Sequence, residues 1–351
     1  MHIADGFLST QVCIGAGAIS AAAIGLSLRK LNETVSTRTV PLTGMMAALI
    51  FAAQMVNFPL MLAPASGHLL GGVLAAVVVG PWAGCVAISL VLFLQMALFA
   101  DGGWLAYGAN ALNMGVVGSL GGYAIYAGIR RRIAGPRGIV AGAVIASWVS
   151  VVAASALFCL EFALSHHDLS YDGAFNVPML FAVMTSFHSL IGVGEALITG
   201  GVVSYLLAVR PDLIVTPGLP AGPVAGLGRV VWSGAVAALA VAAFAAPFAS
   251  EAADGLEAVA KEMKFDGLEQ EPRVLLFSGY EVPLPGIGAA PTDSSHISSS
   301  GEAAAGAASG FWQKLSVSLA GVLGTAAILA ITFVFGGFSK SRFAAEAPHA
   351  G

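Results

Sequence analysis

A chain of 351 residues that is 57% hydrophobic and only 10% charged carries far less charge than the roughly 25% of a soluble domain. A mean hydropathy of +0.86 puts most of its surface against lipid. The net charge of −4 excludes a nucleic-acid partner, because no basic patch is available to neutralise phosphates.

The chain opens with MHIADGFLS, which holds Asp5 and no Lys or Arg. A secretory signal would begin with a positive region, so the N-terminus is expected to stay on the mature protein. Apolar runs of bilayer length then follow at 11–28, 40–62, 67–82, 83–100, 105–128, 139–163, 176–208, 229–249 and 313–337. These predict about nine spans, with the third short and its junction to the fourth at Gly80-Pro81. Cys13, Cys85 and Cys159 sit inside apolar runs without metal-pair spacing and read as small core residues.

Lys and Arg set the orientation. Arg29, Lys30 and Arg38, then Arg130, Arg131, Arg132 and Arg137, then Arg210 and Arg229, then Lys340 and Arg342 fall in loops that alternate onto one side. That side is expected to be the cytoplasm, with the N-terminus outside and the C-terminus inside. The sequence divides into a seven-span unit over residues 1–208, a Pro/Gly-rich linker over 209–228, and a two-span hairpin over 229–351. The hairpin encloses an outside loop of about 250–311. Its EAADGLEAVAKEMKF stretch has the spacing of an amphipathic helix, and its TDSSHISSSGEAAAGAASG stretch is of low complexity. The fold class is therefore an all-α integral membrane protein.

The start of the chain has a specific chemistry. The Met1 amine, the His2 backbone nitrogen and His2 Nδ1 can bind one metal through fused five- and six-membered rings. Together they fill three corners of a square, an arrangement that suits Ni(II) and Cu(II). The plainer alternative is an incidental surface histidine. The fourth corner points to His68 in PASGHLLGG, at the outer end of the third run, where Pro64 and Ser66 shape a turn and Gly67 allows close approach. A hydrogen-bonded structural imidazole is the competing reading of His68.

Other polar residues at membrane depth rank below these. His188 and Glu195 are seven residues apart on one helical face and suit a supporting role or proton shuttling more than ligation. Gln95, Asn110 and Asn113 are expected to face the bundle interior and bond across helices. Asp101 in the DGG turn either lines an outer cavity or is a solvated carboxylate. The His166-His167-Asp168 cluster reads as a solvated loop, and His296 and His349 as unspecific. The sequence has no GxxxxGK[ST] phosphate loop and no HExxH motif, so uphill transport would need a partner that hydrolyses ATP.

MHIADGFLS, SGHLLGG, QMALFADGGWLAYGANALNMG and HSLIGVGEALITG together resemble the substrate-binding M component of nickel and cobalt ECF-type ABC importers, the NikM/CbiM family. The hairpin resembles the N component of those systems. Its ADGLE matches that component's PDGLE signature with Ala253 in place of proline, and LAGVLGT in the last run fits as well. The resemblance implies a Ni2+ or Co2+ site made by the Met1 amine, the His2 amide and ring, and the imidazole of His68. It also implies a transmembrane coupling subunit (Q-type) and a cytoplasmic ATPase (O-type) as partners in a bacterial cytoplasmic membrane. Fusion of the two parts resembles the nickel branch. No catalytic residue and no resident cofactor are expected. A passive metal channel and an intramembrane metalloenzyme using His188 and Glu195 are the competing functions.

Overall fold

Most of the apolar sequence is helical, because a peptide group in lipid must find its hydrogen-bond partner within its own segment. The computed structural model describes residues 1–34, 36–166, 176–215, 222–270, 277–282 and 302–345. Helix α1 is Thr10–Thr34, α2 is Thr39–Gln54, α3 is Gly72–Val79 and α4 is Pro81–Phe99. Helix α5 runs over Tyr107–Arg132, with a π-helical stretch at Ala111–Gly121. Helices α6 (Gly135–Ser165) and α7 (Val177–Val209) form a long antiparallel pair. In the last part α8 spans Leu227–Phe248, and α9 (Gly255–Met263) and α10 (Glu302–Ala345) follow. Among the described residues the all-α reading holds apart from one short antiparallel pairing, Phe58–Pro59 with Ser66–Gly67.

Among the described residues seven helices are long and apolar enough to cross a membrane, and the chain is a multi-pass membrane protein. Two of the nine expected spans are shorter than read. The run at 40–62 stops as a helix at Gln54, and the run at 67–82 yields only the 8 residues of α3, about 12 Å of helix against a hydrocarbon core of about 30 Å. The cause is local. Pro59 and Pro64 break the segment between them, and Gly71 takes a left-handed φ of 76° that starts α3 afresh. Gly80, at φ 91°, then separates α3 from α4, which begins on Pro81.

Polarity is distributed as lipid requires, with polar groups turned inward. Gln95, Asn113, Ser147, Glu195 and Thr199 are buried, while Leu197, Trp232 and Phe244 are at least 70% exposed. Asn113 Nδ2 donates to Glu161 Oε2 across α5 and α6 at 2.8 Å. All three cysteines are buried and free. Small residues let the hairpin dock on α2: Ala47, Ala48, Phe51 and Ala52 pack against Ala238, Ala242, Ala320 and Ile328.

The two ends of α2 separate two environments. At its start, Arg38 donates to the carbonyls of Asp212 at 3.2 Å, Leu213 at 3.4 Å and Gly222 at 2.7 Å, so two of the positively charged loops meet. At its other end, 16 residues or about 24 Å away, α2 reaches the loop that carries His68. The amphipathic stretch of the hairpin loop is α9, which buries Leu256, Val259 and Ala260 against the chain start. Residues 292–309 of the low-complexity stretch, His296 among them, and His349 lie outside the residues whose side chains are described.

Candidate metal centre

The first nine residues are built into the bundle. Met1, Ile3, Phe7 and Leu8 are buried with Phe158, Phe162 and Met184 of the α6–α7 pair and with Leu256, Val259 and Phe265 of the hairpin loop. Burying apolar side chains of this size is worth roughly 1.5–3 kcal/mol each. Polar contacts then set the register. Asn110 Oδ1 accepts from the Ile3 N–H at 2.7 Å, and Asn110 Nδ2 donates to the Ile3 carbonyl at 2.9 Å. The Asp5 carboxylate accepts three backbone N–H groups, from Trp104 at 3.0 Å, Leu105 at 2.8 Å and Ala106 at 3.0 Å. These are orphan donors at the start of α5, where an anion is favoured. Gly103 must be glycine here: a Cβ would stand 2.2 Å from Asp5 Oδ1. Gly6, at φ 97°, turns the segment under the Leu268 carbonyl where no Cβ fits.

Replacing Asp5 with Ala therefore leaves three N–H groups without their acceptor and frees the chain start. We expect metal affinity to fall about 10–100-fold, the effect typical of an outer partner, with the melting temperature lowered and the protein still folded. Calorimetric metal titration together with a thermal melt checks both.

Fastened this way, the Met1 amine lies 2.8 Å from His68 Nε2 and 3.2 Å from Asp254 Oδ2. The His2 and His68 rings stack with centroids 5.1 Å apart. One ring nitrogen of each and a carboxylate oxygen of Asp254 lie within 4.8 Å of one another. His68 Nδ1 sits 3.1 Å from the Leu69 carbonyl and donates its proton there, which leaves the Nε2 lone pair aimed at the amine. Burial, then the N-terminal ammonium, lowers the His2 imidazole to about 3. Burial, the ammonium and His2 do the same for His68, also to about 3. Both rings are neutral near pH 7 and offer lone pairs.

His2 Nε2 meets Gln95 Oε1 at 3.2 Å, and His2 Nδ1 meets Asp101 Oδ1 at 3.1 Å. A neutral ring has one proton for these two acceptors: on Nε2 it meets Gln95 and leaves the Nδ1 lone pair, and on Nδ1 it meets Asp101. Burial raises the Asp101 carboxyl. Tyr280 of the hairpin donates to Asp101 Oδ2 at 2.5 Å.

Of the other residues singled out from sequence, Ser66 ties the His68 loop to the hairpin. Its Oγ donates to the Ala252 carbonyl and its N–H to the Ala253 carbonyl, both at 2.7 Å. Glu195 accepts the N–H groups of Leu70 at 2.6 Å and Gly71 at 2.9 Å, directly after His68. His188 Nδ1 donates to the Met184 carbonyl at 2.9 Å, and its buried Nε2 has no hydrogen-bond partner among the described residues. His188 and Glu195 share the inner face of α7 without forming a common ligand set. His166 is not part of a solvated loop: its ring packs on Phe162 and its Nε2 donates to the Phe7 carbonyl at 2.9 Å. His167 and Asp168 lie outside the described residues.

Sequence reasoning did not select Asp254 or Asp5. Asp254 stands in the ADGLE stretch, a motif whose residues had no role legible in the sequence. It caps α9 by accepting the Glu257 N–H at 2.7 Å. Burial would raise its carboxyl, but the N-terminal ammonium, together with the Glu257 N–H, outweighs that and holds it below the usual carboxylate range.

The family model described as cobalt uptake substrate-specific transmembrane region matches residues 2–213. The chain belongs to this CbiM family. The PDGLE domain model matches residues 228–341, so the CbiM region carries a second recognised domain behind it. A protein of Archaeoglobus fulgidus, provisionally named a fused nickel transport protein, is 34% identical over 82% of this chain and 90% of its own length. The fused nickel transport protein of Rhodobacter capsulatus is 35% identical over 66% of this chain and 70% of its own. A truncated transition metal transporter of known crystal structure superposes with a TM-score of 0.52 at 32% identity, covering 59% of this chain and 99% of the other. Every CbiM relative named here carries a transport name.

Proposed function

We infer that this chain captures a divalent transition-metal ion, nickel or cobalt, at its own N-terminus and imports it as the substrate-specific membrane part of an energy-coupling-factor transporter. The observation that carries this is the 2.8 Å between the Met1 amine and His68 Nε2. Two nitrogens at right angles on metal bonds of about 2.0 Å stand about 2.8 Å apart, so the pair already has the spacing of neighbouring ligands. The His2 amide and Nδ1 supply the other two corners, and loss of the ammonium proton opens the centre. Gln95, Asn110, Asp5 and Glu195 hold the ligands without joining them. An all-nitrogen square favours Ni(II), and the fused relatives carry nickel names.

The chain's outer side receives the metal, and the positive loops around Arg38, Arg130 and Arg210 face the cytoplasm. Energy comes from a Q-type coupling subunit and an O-type ATPase. Against the metalloenzyme alternative, Glu195 is committed to two backbone N–H groups and His188 Nδ1 to the Met184 carbonyl.

The test is the metal content of the full chain, purified with Met1 as its first residue under equal nickel and cobalt supply. One ion per chain with nickel in excess is expected. In proteoliposomes, uptake is expected only when the coupling subunit and ATPase are present. Metal-free protein, or uptake by the chain alone, defeats the reading.

A further inference from the structure

The hairpin brings a carboxylate, that of Asp254, to the Met1 amine, and the two oxygens of that group face different ways. Oδ1 accepts the Glu257 N–H at 2.7 Å and so caps α9. Oδ2 lies 3.2 Å from the Met1 nitrogen. The loop that carries Asp254 is fixed from three directions. The carbonyls of Ala252 and Ala253 accept from Ser66, two residues ahead of His68. Helix α9 buries one face in the bundle. Gly255 presses so closely on α7 that a Cβ would stand 2.5 Å from Ile191 Cδ1 and 3.1 Å from His188 Cε1. The carboxylate and the His68 imidazole are therefore held by one clamp, and the bond at Oδ1 aims Oδ2 at the centre.

Two observations make this carboxylate more than a counter-ion for the amine. The first is spacing. Donors at right angles on metal bonds of about 2.0–2.2 Å stand about 2.8–3.1 Å apart. Asp254 Oδ2 lies 3.2 Å from the amine, close to the separation that His68 Nε2 shows on its own side. Among the described residues, ligand atoms of His2, His68 and Asp254 lie within 4.8 Å of one another, and Asp101, which meets the His2 ring, is outside that group. The second is charge. A divalent ion bound through an amine, two imidazoles and a deprotonated amide keeps one positive charge. Met1 and His68 are buried, and a charge held at that depth needs a partner of opposite sign.

Resting on the function proposed above, we propose that Asp254 Oδ2 stands over an open face of the nitrogen square as a fifth ligand for Co(II), and so decides how well the centre accepts cobalt beside nickel. The two ions use the oxygen differently. Low-spin Ni(II) in a square of nitrogens fills the d orbital that points along the axis, so a fifth donor gains little there. Low-spin Co(II) has one electron fewer, leaves that orbital half filled and takes an axial oxygen. Nickel keeps the carboxylate as a nearby balancing charge, whereas cobalt binds it. A single residue of the hairpin thus widens the metal choice of a centre built by the first part of the chain.

The experiment is a competition titration of Ni(II) and Co(II) on the full chain with Met1 as its first residue, wild type against Asp254→Asn. Asparagine caps a helix start as well as aspartate does, so α9 stays in place. With its oxygen on the Glu257 N–H, the new side chain puts an NH2 where Oδ2 was, and that group has no lone pair to give a metal. The ratio of cobalt to nickel affinity should fall by about tenfold or more. Losing the ion pair to the ammonium acts on both metals alike and cancels in the ratio. X-ray absorption of the cobalt-loaded proteins should show five ligands in the wild type and four in the variant. An unchanged ratio, or the same cobalt coordination number in both proteins, overturns the role of Asp254 and leaves the N-terminal centre standing. A wild-type chain that binds neither metal overturns the centre itself and the fifth ligand with it.

Discussion

A chain carrying one extra residue ahead of Met1 loses its His68-dependent metal site and its transport. The extension converts the Met1 amine into an amide, which removes the donor 2.8 Å from His68 Nε2. It also has nowhere to go, because Met1 is 3% exposed and its nitrogen is enclosed by His68 and Asp254. At least two of four ligands are displaced. Affinity should fall by about a thousandfold or more, given that a single outer partner alone is worth 10–100-fold. One complication sharpens the test. An added residue puts histidine third in the chain, and a free start of that kind can bind Ni(II) or Cu(II) through its own amine, two amides and Nδ1. Metal bound that way needs no fourth ligand. The extended chain should therefore retain at most a binding mode that His68→Ala does not weaken, together with no uptake by the assembled transporter. Wild-type uptake, or binding that still depends on His68, would show that the amine is not a ligand.

How much of this was legible in the sequence depended on range. The apolar runs exposed the long helices directly, since span length is a local property. The run at 67–82 misled because residues lining a bundle interior are as apolar as residues facing lipid: Val73, Val77 and Val78 of α3 are buried in protein, and nothing local distinguishes the two. His2 and His68 could be paired from chemistry alone, because a tridentate start has one vacant corner and few imidazoles stand near it. The partners that hold them were not readable. Asp5 to Leu105 spans 100 residues and Met1 to Asp254 more than twice that, and composition carries no information about such contacts. Asn110 and Glu195 were visible as polar residues in apolar helices, a pattern that marks an inward face without naming the group they meet. His166 looked solvated because two polar residues follow it, yet the Phe7 carbonyl it serves belongs to a segment whose position only the fold supplies.

Glu195 carries the second large effect. Its two carboxylate oxygens receive the N–H groups of Leu70 and Gly71, all of them buried, and so fix the backbone just past His68. In Glu195→Gln one oxygen becomes an NH2 that faces an N–H, leaving one buried donor unpaired and opposed. A lost buried partner costs roughly 1–3 kcal/mol, and the loop then has no reason to keep His68 at the amine. The conservative variant should therefore lower the melting temperature of the metal-free protein by several degrees and weaken nickel binding at least about tenfold. His68→Ala should differ in kind. It removes a ligand and leaves the Glu195 contacts intact, so binding falls by more than about a hundredfold while the metal-free melting temperature stays close to wild type. Measured side by side, the two variants separate holding a ligand from being one. If Glu195→Gln binds nickel as tightly as the wild type, the carboxylate serves only to close the bundle, and His68 is positioned by its own loop.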